Sequence, residues 1–464
     1  MLGDSLSQLI ALPGWNKLGG RIRMNSNNKL EIHVPKAFSP ERPAFRFHHT
    51  DFDISIDEHP LASKLPKPSM EQPSVQELQS DLTTLGVPPG TPLCLDDYLK
   101  SDSPQLTVHI VSFTDATLVS ICWPHVSVDG MSLAQLGHAW SLALAGRVSE
   151  ILPMLSTCED PMAKAGQDPA FTQPHPLERK QITGWRLYIF AFYYIFDLIW
   201  WRTIESRVVF LPKTTVRELR NRALLSLTKE DQTPFVSESD VIVAWLTIVV
   251  VSALFPKGSN RAVTIGNAFD LRGRAPSLFP VTGDKGAYIQ NAVFPCWALV
   301  SATTVHRRDG NILGSVALAV RRSIQEQTTE SSIHAQARLT RNALDQSGVP
   351  PLFGDANQFT IHFASVKADL ARSLDLGPAI KSRSRSPEDK ISAKDTWAPS
   401  PGHPVYYHIK CISPSNMLAR NYSLVTKTST GDYWVNGSYP PEVWKLMQLM
   451  LLSFKTLDSA SSFT

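Results

Sequence analysis

A two-domain protein of mixed α and β structure is what this sequence predicts, and three observations carry the expectation. The 464 residues exceed the roughly 100–200 of an ordinary single domain. Strand-like runs and helical periods are interleaved through both halves rather than segregated. An apolar stretch flanked by loop-like sequence marks a seam near residues 165–206. The expected division is 1–180, an apolar crossover helix at 181–206, and 207–464, with part of 355–410 packing on the first domain's sheet.

Each element has its own signal. Asp4 to Leu18 places Leu6, Leu9, Ile10 and Leu12 on one side of a helix that Pro13-Gly14 breaks. Short strand-like runs follow at Leu30–Val34, Arg46–His48, Phe52–Ile56 and Gln105–Phe113, and Ser63–Pro92 reads as loop with one short helix. Thr117–Trp123 reads as a buried strand, and Ser132–Ala145 has a helical period. In the second half, Arg207–Leu211 and Ala262–Ala268 read as strands. Thr214–Leu225 and Ser237–Leu254 read as helices, as do Asn311–Glu330 and Ser332–Asp345, which a Thr/Ser cluster separates. Lys381–Gly402 is charged and rich in Ser and Pro, which predicts an exposed, mobile loop.

Trp185 to Trp201 reads WRLYIFAFYYIFDLIWW. A spanning helix needs about 20 mostly apolar residues, and this segment is shorter and carries Arg186 and Asp197. It is therefore expected to be a buried or interdomain helix without membrane contact; its composition leaves an in-plane interfacial helix as the alternative.

Composition narrows the function classes. Lys+Arg 45 against Asp+Glu 42 gives a net charge of +3, without the concentrated basic stretch of a nucleic-acid binder. Cys94, Cys122, Cys158, Cys296 and Cys411 are odd in number and widely spaced, so neither a disulfide framework nor a metal site is expected. The start lacks a basic n-region and a pure apolar core, and a cytoplasmic protein is expected.

The chemistry concentrates at Pro124-His125-Val126-Ser127-Val128-Asp129-Gly130, between a strand and a helix. A loop there can hold a histidine out into a cleft while an aspartate four residues later turns back to lock it. Chance alone supplies on the order of one HxxxD in a chain with this many histidines, and His49 with Asp53 is such a decoy. The glycine after Asp129 removes most chance matches. Read from the residues alone, His125 is also compatible with a satisfied loop histidine and Asp129 with a helix N-cap. No GxSxG elbow offers a nucleophilic serine.

Further residues carry a wider resemblance. They are Ser5-Leu6-Ser7 with Gly19-Gly20-Arg21-Ile22, Asp270-Leu271-Arg272-Gly273-Arg274, and Tyr288-Ile289-Gln290-Asn291-Ala292. Gly348 to Asp355 and Gly431-Asp432-Tyr433-Trp434 complete the set. With HxxxDG and in this order, they resemble the BAHD acyltransferase superfamily, in its fungal secondary-metabolite branch, over nearly the whole chain. The family's DFGWG signature falls on Asp375-Leu376-Gly377-Pro378-Ala379, keeping Asp375 and Gly377, and its SNW-like stretch reads Ala364-Ser365-Val366. Gln290 stands where glycine is usual, and the chain opens on its first helix where relatives have a preceding strand.

The resemblance implies a chloramphenicol-acetyltransferase-like fold with the active-site channel between two domains. It further implies His125 as general base, Asp129 paired with Arg272 as a structural brace, and Gly130, Asp375 and Gly377 in support. The co-substrate would be acyl-CoA, most economically acetyl-CoA, and the acceptor a hydroxyl of a small terpenoid, polyketide or alkaloid. A monomer is implied, with no bound cofactor. Two other readings are a catalytically silent binder on the same fold and a condensation-type domain that takes its acyl group from a carrier protein. The latter carry HHxxxDG, against which Pro124 stands.

Overall fold

The computed structural model describes residues 1–69, 72–227, 235–281, 285–307, 311–366, 373–380, 401–411 and 420–461. Most of the predicted loop at Lys381–Gly402, residues 381–400, lies outside them.

In the first half, helix α1 (Leu2–Ile10) buries Leu6, Leu9 and Ile10, the stripe its period predicts. A hairpin of β1 (Arg21–Met24) and β2 (Leu30–His33) follows. The strands β3 (Arg46–Asp51), β4 (Ser74–Glu77), β5 (Thr107–Ser112) and β6 (Thr117–Cys122) come next. A three-stranded sheet has the order β3-β5-β6, with β3 parallel to β5. Helix α2 (Gly130–Leu144) packs on α1, and Trp140 donates its indole N–H to Ser5 Oγ at 3.0 Å. Leu6, Trp15, Val128, Leu136 and Trp140 form one core, which Ala287 and Ile289 of the second half complete.

Helix α3 (Trp185–Trp200) leads into β7 (Glu205–Leu211), α4 (Lys213–Leu227) and α5 (Glu238–Leu254). Ser237 opens α5 with a capping box: its hydroxyl accepts from the Asp240 N–H, and the Asp240 carboxylate accepts from the Ser237 N–H. Strands β8 (Ala262–Asp270) and β9 (Val293–Ser301) precede helices α6 (Ile312–Gln327) and α7 (Glu330–Ser347). Thr329 caps α7, so the Thr/Ser cluster does divide two helices. Strands β10 (Phe359–Val366), β11 (Tyr422–Lys427) and β12 (Tyr433–Tyr439) and helix α8 (Pro441–Ser461) end the described chain.

The larger sheet has the order β4-β7-β12-β11-β10-β8-β9. Its parallel centre, β8-β10-β11, is what α/β crossovers produce. The buried residues of α5 and α6 pack with those of β7, β8, β10 and β12 in the largest core. Strand β4 belongs by sequence to the first half yet pairs antiparallel with β7, so this sheet draws on both sides of the seam.

Four expectations are corrected, the first being Ser63–Pro92, expected as loop with one short helix, which supplies strand β4 because Ser74–Glu77 pairs with the far-off β7. Phe52–Ile56 is not a strand: the ladder stops at Asp51, the Phe52 ring stacks on Phe113, and the Ile56 N–H donates to Asp115 Oδ1 at 2.8 Å. Strand β6 is not buried, because it is an edge strand whose residues line a cavity. Helix α3 is not buried either: only Asp197 is shielded along its whole length. Its charged residues point inward while Trp185, Tyr188, Phe192 and Trp200 point outward, an orientation that composition alone does not disclose.

Candidate active site

The histidine sits at the tip of a tight turn. The Pro124 carbonyl accepts from the Ser127 N–H at 3.0 Å and from the Ser127 hydroxyl at 3.1 Å. His125 and Val126 are thereby left exposed at the bend, while Val128 plugs into the core beneath. The Trp123 indole N–H donates to the Val128 carbonyl at 3.1 Å, tying the two ends of the turn together. From the other half of the chain, Asn291 Nδ2 donates to the His125 carbonyl.

Asp129 is both the N-cap of α2 and one side of a brace. Its Oδ1 accepts from the Ser132 N–H at 2.8 Å, which is the cap. Its Oδ2 accepts from the Ala292 N–H at 2.9 Å. Arg272 Nη2 stands 3.1 Å from both carboxylate oxygens, a one-nitrogen fork rather than a side-on pair. The guanidinium is otherwise fully engaged: Nη1 with Asp270 Oδ1 at 2.5 Å, Nε with the Tyr288 carbonyl at 3.1 Å, and Nη2 also with the Gln290 carbonyl at 2.6 Å. Asp129 is 2% exposed and Arg272 6%, so the charges meet in a dry environment where such bonds are strong.

Ser132 belongs to the same cluster and was not singled out in the sequence. Its hydroxyl accepts from Arg272 Nη2 at 2.9 Å and from the Gln290 N–H at 3.0 Å, and donates to the Gln290 carbonyl at 2.8 Å. Asn291, whose amide holds the His125 carbonyl, is likewise not distinguished by any sequence motif of its own. The available signal for both was position, Ser132 at the third residue of the helix that Asp129 caps and Asn291 one residue before Ala292. The Lys17 ammonium adds a further tie, donating to the Ile289 carbonyl at 3.3 Å, and burial lowers its pKa. The histidine turn thus docks on 288–292, where the two halves meet.

Gly130 is the first residue of α2. Asp375 and Gly377 are not near the histidine. The Asp375 N–H donates to the hydroxyl of Ser141, near the far end of α2, and Asp375 Oδ1 accepts from the Gly377 N–H, both at 2.8 Å. Leu376 N–H donates to the Gly402 carbonyl at 2.9 Å.

A cavity of about 2370 Å³ opens on the three-stranded sheet. It is lined by β6, Leu133 and Gly137 of α2, Leu374, and Tyr406 to Lys410. It reaches Trp123 and Leu133, the residues flanking the turn, while His125 stands outside its lining. The Cys122 thiol on its wall is pushed up to about 11 by burial, so it is a poor nucleophile near neutrality. Among the described residues no His, Cys, Asp and Glu cluster is arranged to hold a metal ion.

No family model matches the chain. Among characterised proteins it is similar to acetyltransferase pyiB of Pyricularia grisea, with 36% identity over 455 residues, 96% of this chain and 86% of that protein. It is also 34% identical over 456 residues to O-acetyltransferase PaAT-2 of Phomopsis amygdali, covering 96% and 89% of the two chains. Its fold is similar to the crystal structure of F. sporotrichioides TRI101 complexed with coenzyme A and T-2, at a TM-score of 0.63 and 15% identity, over 96% of this chain and 87% of that one.

Proposed function

Because the chain belongs to the BAHD acyltransferases, among the fungal acetyltransferases of secondary metabolism, we propose that it carries an acetyl group from acetyl-CoA to a hydroxyl of a small secondary metabolite, with His125 as general base. The observation that carries this reading is the exposed imidazole on a turn whose every anchor is buried or bonded. Such a side chain is reachable by substrates yet fixed in place, as proton transfer requires.

The reaction balances without a covalent enzyme intermediate. Neutral His125 takes the proton from the acceptor O–H as its oxygen attacks the thioester carbonyl. The tetrahedral oxyanion collapses, the C–S bond breaks, and the departing CoA thiolate receives the proton from the imidazolium. Histidine suits the cycle because its ordinary pKa, about 6.5, lies near working pH. Asp129 is buried and faces Arg272, so its part is to hold the turn. The enzyme acts as a monomer on this reading.

Two measurements test the proposal. A ligand that binds only the folded chain stabilises it by about 2.7 kcal/mol at 100 times its Kd, so acetyl-CoA and free CoA should both raise the melting midpoint saturably. His125→Ala should keep the wild-type midpoint within the equivalent of about 0.5 kcal/mol, since the side chain is exposed. Its acyl transfer should fall by about 10²–10⁴-fold. A cooperative melt indifferent to CoA, or a His125→Ala variant with wild-type turnover, would overturn the assignment.

A further inference from the structure

Helix α3 is built inside out. Its inward face carries Arg186, Tyr193 and Asp197. Asp197 Oδ2 meets Arg261 Nη2 at 2.6 Å, and the Arg261 guanidinium lies 4.5 Å from the Tyr193 ring centre. Arg186 donates to the carbonyls of Gln181, at 3.3 Å, and Gly354, at 3.0 Å. At the C-terminal end the Trp201 ring stands edge-on to Phe255 and Phe359, and Arg420 donates to the Trp201 carbonyl. These contacts fix how the helix is rotated about its axis.

That rotation turns an unbroken apolar stripe to solvent. Trp185 is 70% exposed, Tyr188 80%, Phe192 65%, Ile195 54%, Ile199 65% and Trp200 69%. From Trp185 to Ile199 the spacing is three or four residues, which places them on one helical face, and Trp200 stacks on Phe196 beside its end. Scattered apolar residues on a surface are ordinary, but a continuous stripe of this kind marks something that covers it.

We propose that this face seats the protein on a bilayer surface bearing anionic headgroups, with α3 lying in the plane of the interface. A helix of 16 residues is about 24 Å long at 1.5 Å per residue, short of the roughly 30 Å hydrocarbon layer. Among the described residues no helix is long and apolar enough to cross a membrane. Its ionised residues are spent inward, so it can offer only this one face. Tryptophan stands at both ends of the stripe, and its amphipathic ring favours the level of the headgroups.

Charge selects the occupant. Arg179 precedes the helix, Arg202 follows it, and Lys257 lies on the loop after Phe255; all three are exposed, and among the described residues none has an ion-pair partner. The acidic groups nearby are Glu178, Glu205, which is paired with Arg207 at 2.9 Å, and Asp355, which is opposed by Lys180 at 3.7 Å and Arg186 at 4.0 Å. An antiparallel pairing of α3 with a second copy would bring Arg179 against Arg202, whereas anionic headgroups neutralise both. The inference takes up the in-plane alternative that the composition of this segment leaves open, and it stands independently of the acyl-transfer reading.

The test is flotation of the full chain with vesicles of phosphatidylcholine alone or with added phosphatidylserine, at low and high salt. The wild type should float with the anionic vesicles and be released by salt. The variant Tyr188→Ser/Phe192→Ser/Ile199→Ser should partition at least about tenfold less while melting like the wild type. In Arg179→Gln/Arg202→Gln/Lys257→Gln, each lost cation should weaken anionic binding about fivefold and leave zwitterionic binding unchanged. Failure of the wild type to float at low salt, or flotation unaltered in both variants, would overturn the proposal. So would absent flotation with a monomer–dimer equilibrium that the apolar variant abolishes, which would give the face to a second copy.

Discussion

Replacing Asp129 by asparagine separates bracing from proton transfer. The substitution preserves shape but puts an amide where a carboxylate accepts from Ser132 N–H, Ala292 N–H and Arg272 Nη2. One oxygen cannot serve donors that now occupy two, and the –NH₂ must face an N–H or the guanidinium. Breaking a buried ion pair by removing one partner costs about 3–5 kcal/mol. The lower end applies, because Arg272 keeps Asp270 and the carbonyls of Tyr288 and Gln290. Unfolding entropy near about 2.1 cal/mol/K per residue, over 464 residues, amounts to about 1 kcal/mol/K for a single cooperative transition. A loss of about 3 kcal/mol therefore lowers the melting midpoint by about 3 °C. Acyl transfer should fall with it because the turn loosens, while the pH dependence of the residual rate stays that of the wild type, since the proton still moves through His125. The measurements are a thermal melt and a pH–rate profile on purified protein. An Asp129→Asn enzyme with full turnover and an unshifted midpoint would refute the brace.

Other substitutions probe the supports around it. Asn291→Ala removes the donor to the His125 carbonyl; at about 1 kcal/mol for one hydrogen bond, kcat should drop about fivefold with the KM for acetyl-CoA unchanged, and a rise in KM alone would sink the positioning role. Gly402 has φ +94°, and a Cβ there would stand 2.2 Å from the Gly377 nitrogen, so Gly402→Ala should cost about 1–3 kcal/mol in a denaturant melt. His175 is 2% exposed, accepts from the Leu177 N–H, and is held at about 4 by burial. Because the unfolded imidazole takes its proton near 6.5, the unfolded state binds more protons between those values. Stability should therefore be full above pH 6.5 and fall by about 3 kcal/mol by pH 4. Removing the imidazole with His175→Phe should flatten that slope; equal slopes in the two proteins would refute the assignment.

What could be read from the sequence follows from where the signals are local. Ser237 with Asp240, Thr329 before α7 and the period of α1 are statements about neighbouring residues, and those elements form as expected. The strands β9 to β12 gave no comparable warning. Pro295 interrupts β9, which tolerates it as an edge strand, and His362 and Ser365 interrupt the apolar run of β10, whose pairing is decided by β8 and β11 far away in sequence. Helix α3 failed for a related reason. A segment apolar nearly all round has no preferred face until long-range partners such as Arg261 and Gly354 choose one.

The spacing of the histidine motif has a physical account in these contacts. Asp129 must be the residue before the helix, because only there can one oxygen reach the Ser132 N–H while the other meets the 288–292 segment. Val128 is consumed as a plug in the core and Ser127 in closing the turn on Pro124. The nearest position free to face substrate is then Val126 or His125, and it is the His125 carbonyl that Asn291 holds from the opposite half. The three residues between histidine and aspartate are Val126, exposed at the bend, Ser127, which closes the turn, and Val128, the plug, with Asp129 itself as the cap. The arrangement also couples the halves: the aspartate is satisfied only when Arg272 and Ala292 have docked, so a correctly placed histidine requires the second half to be folded against the first.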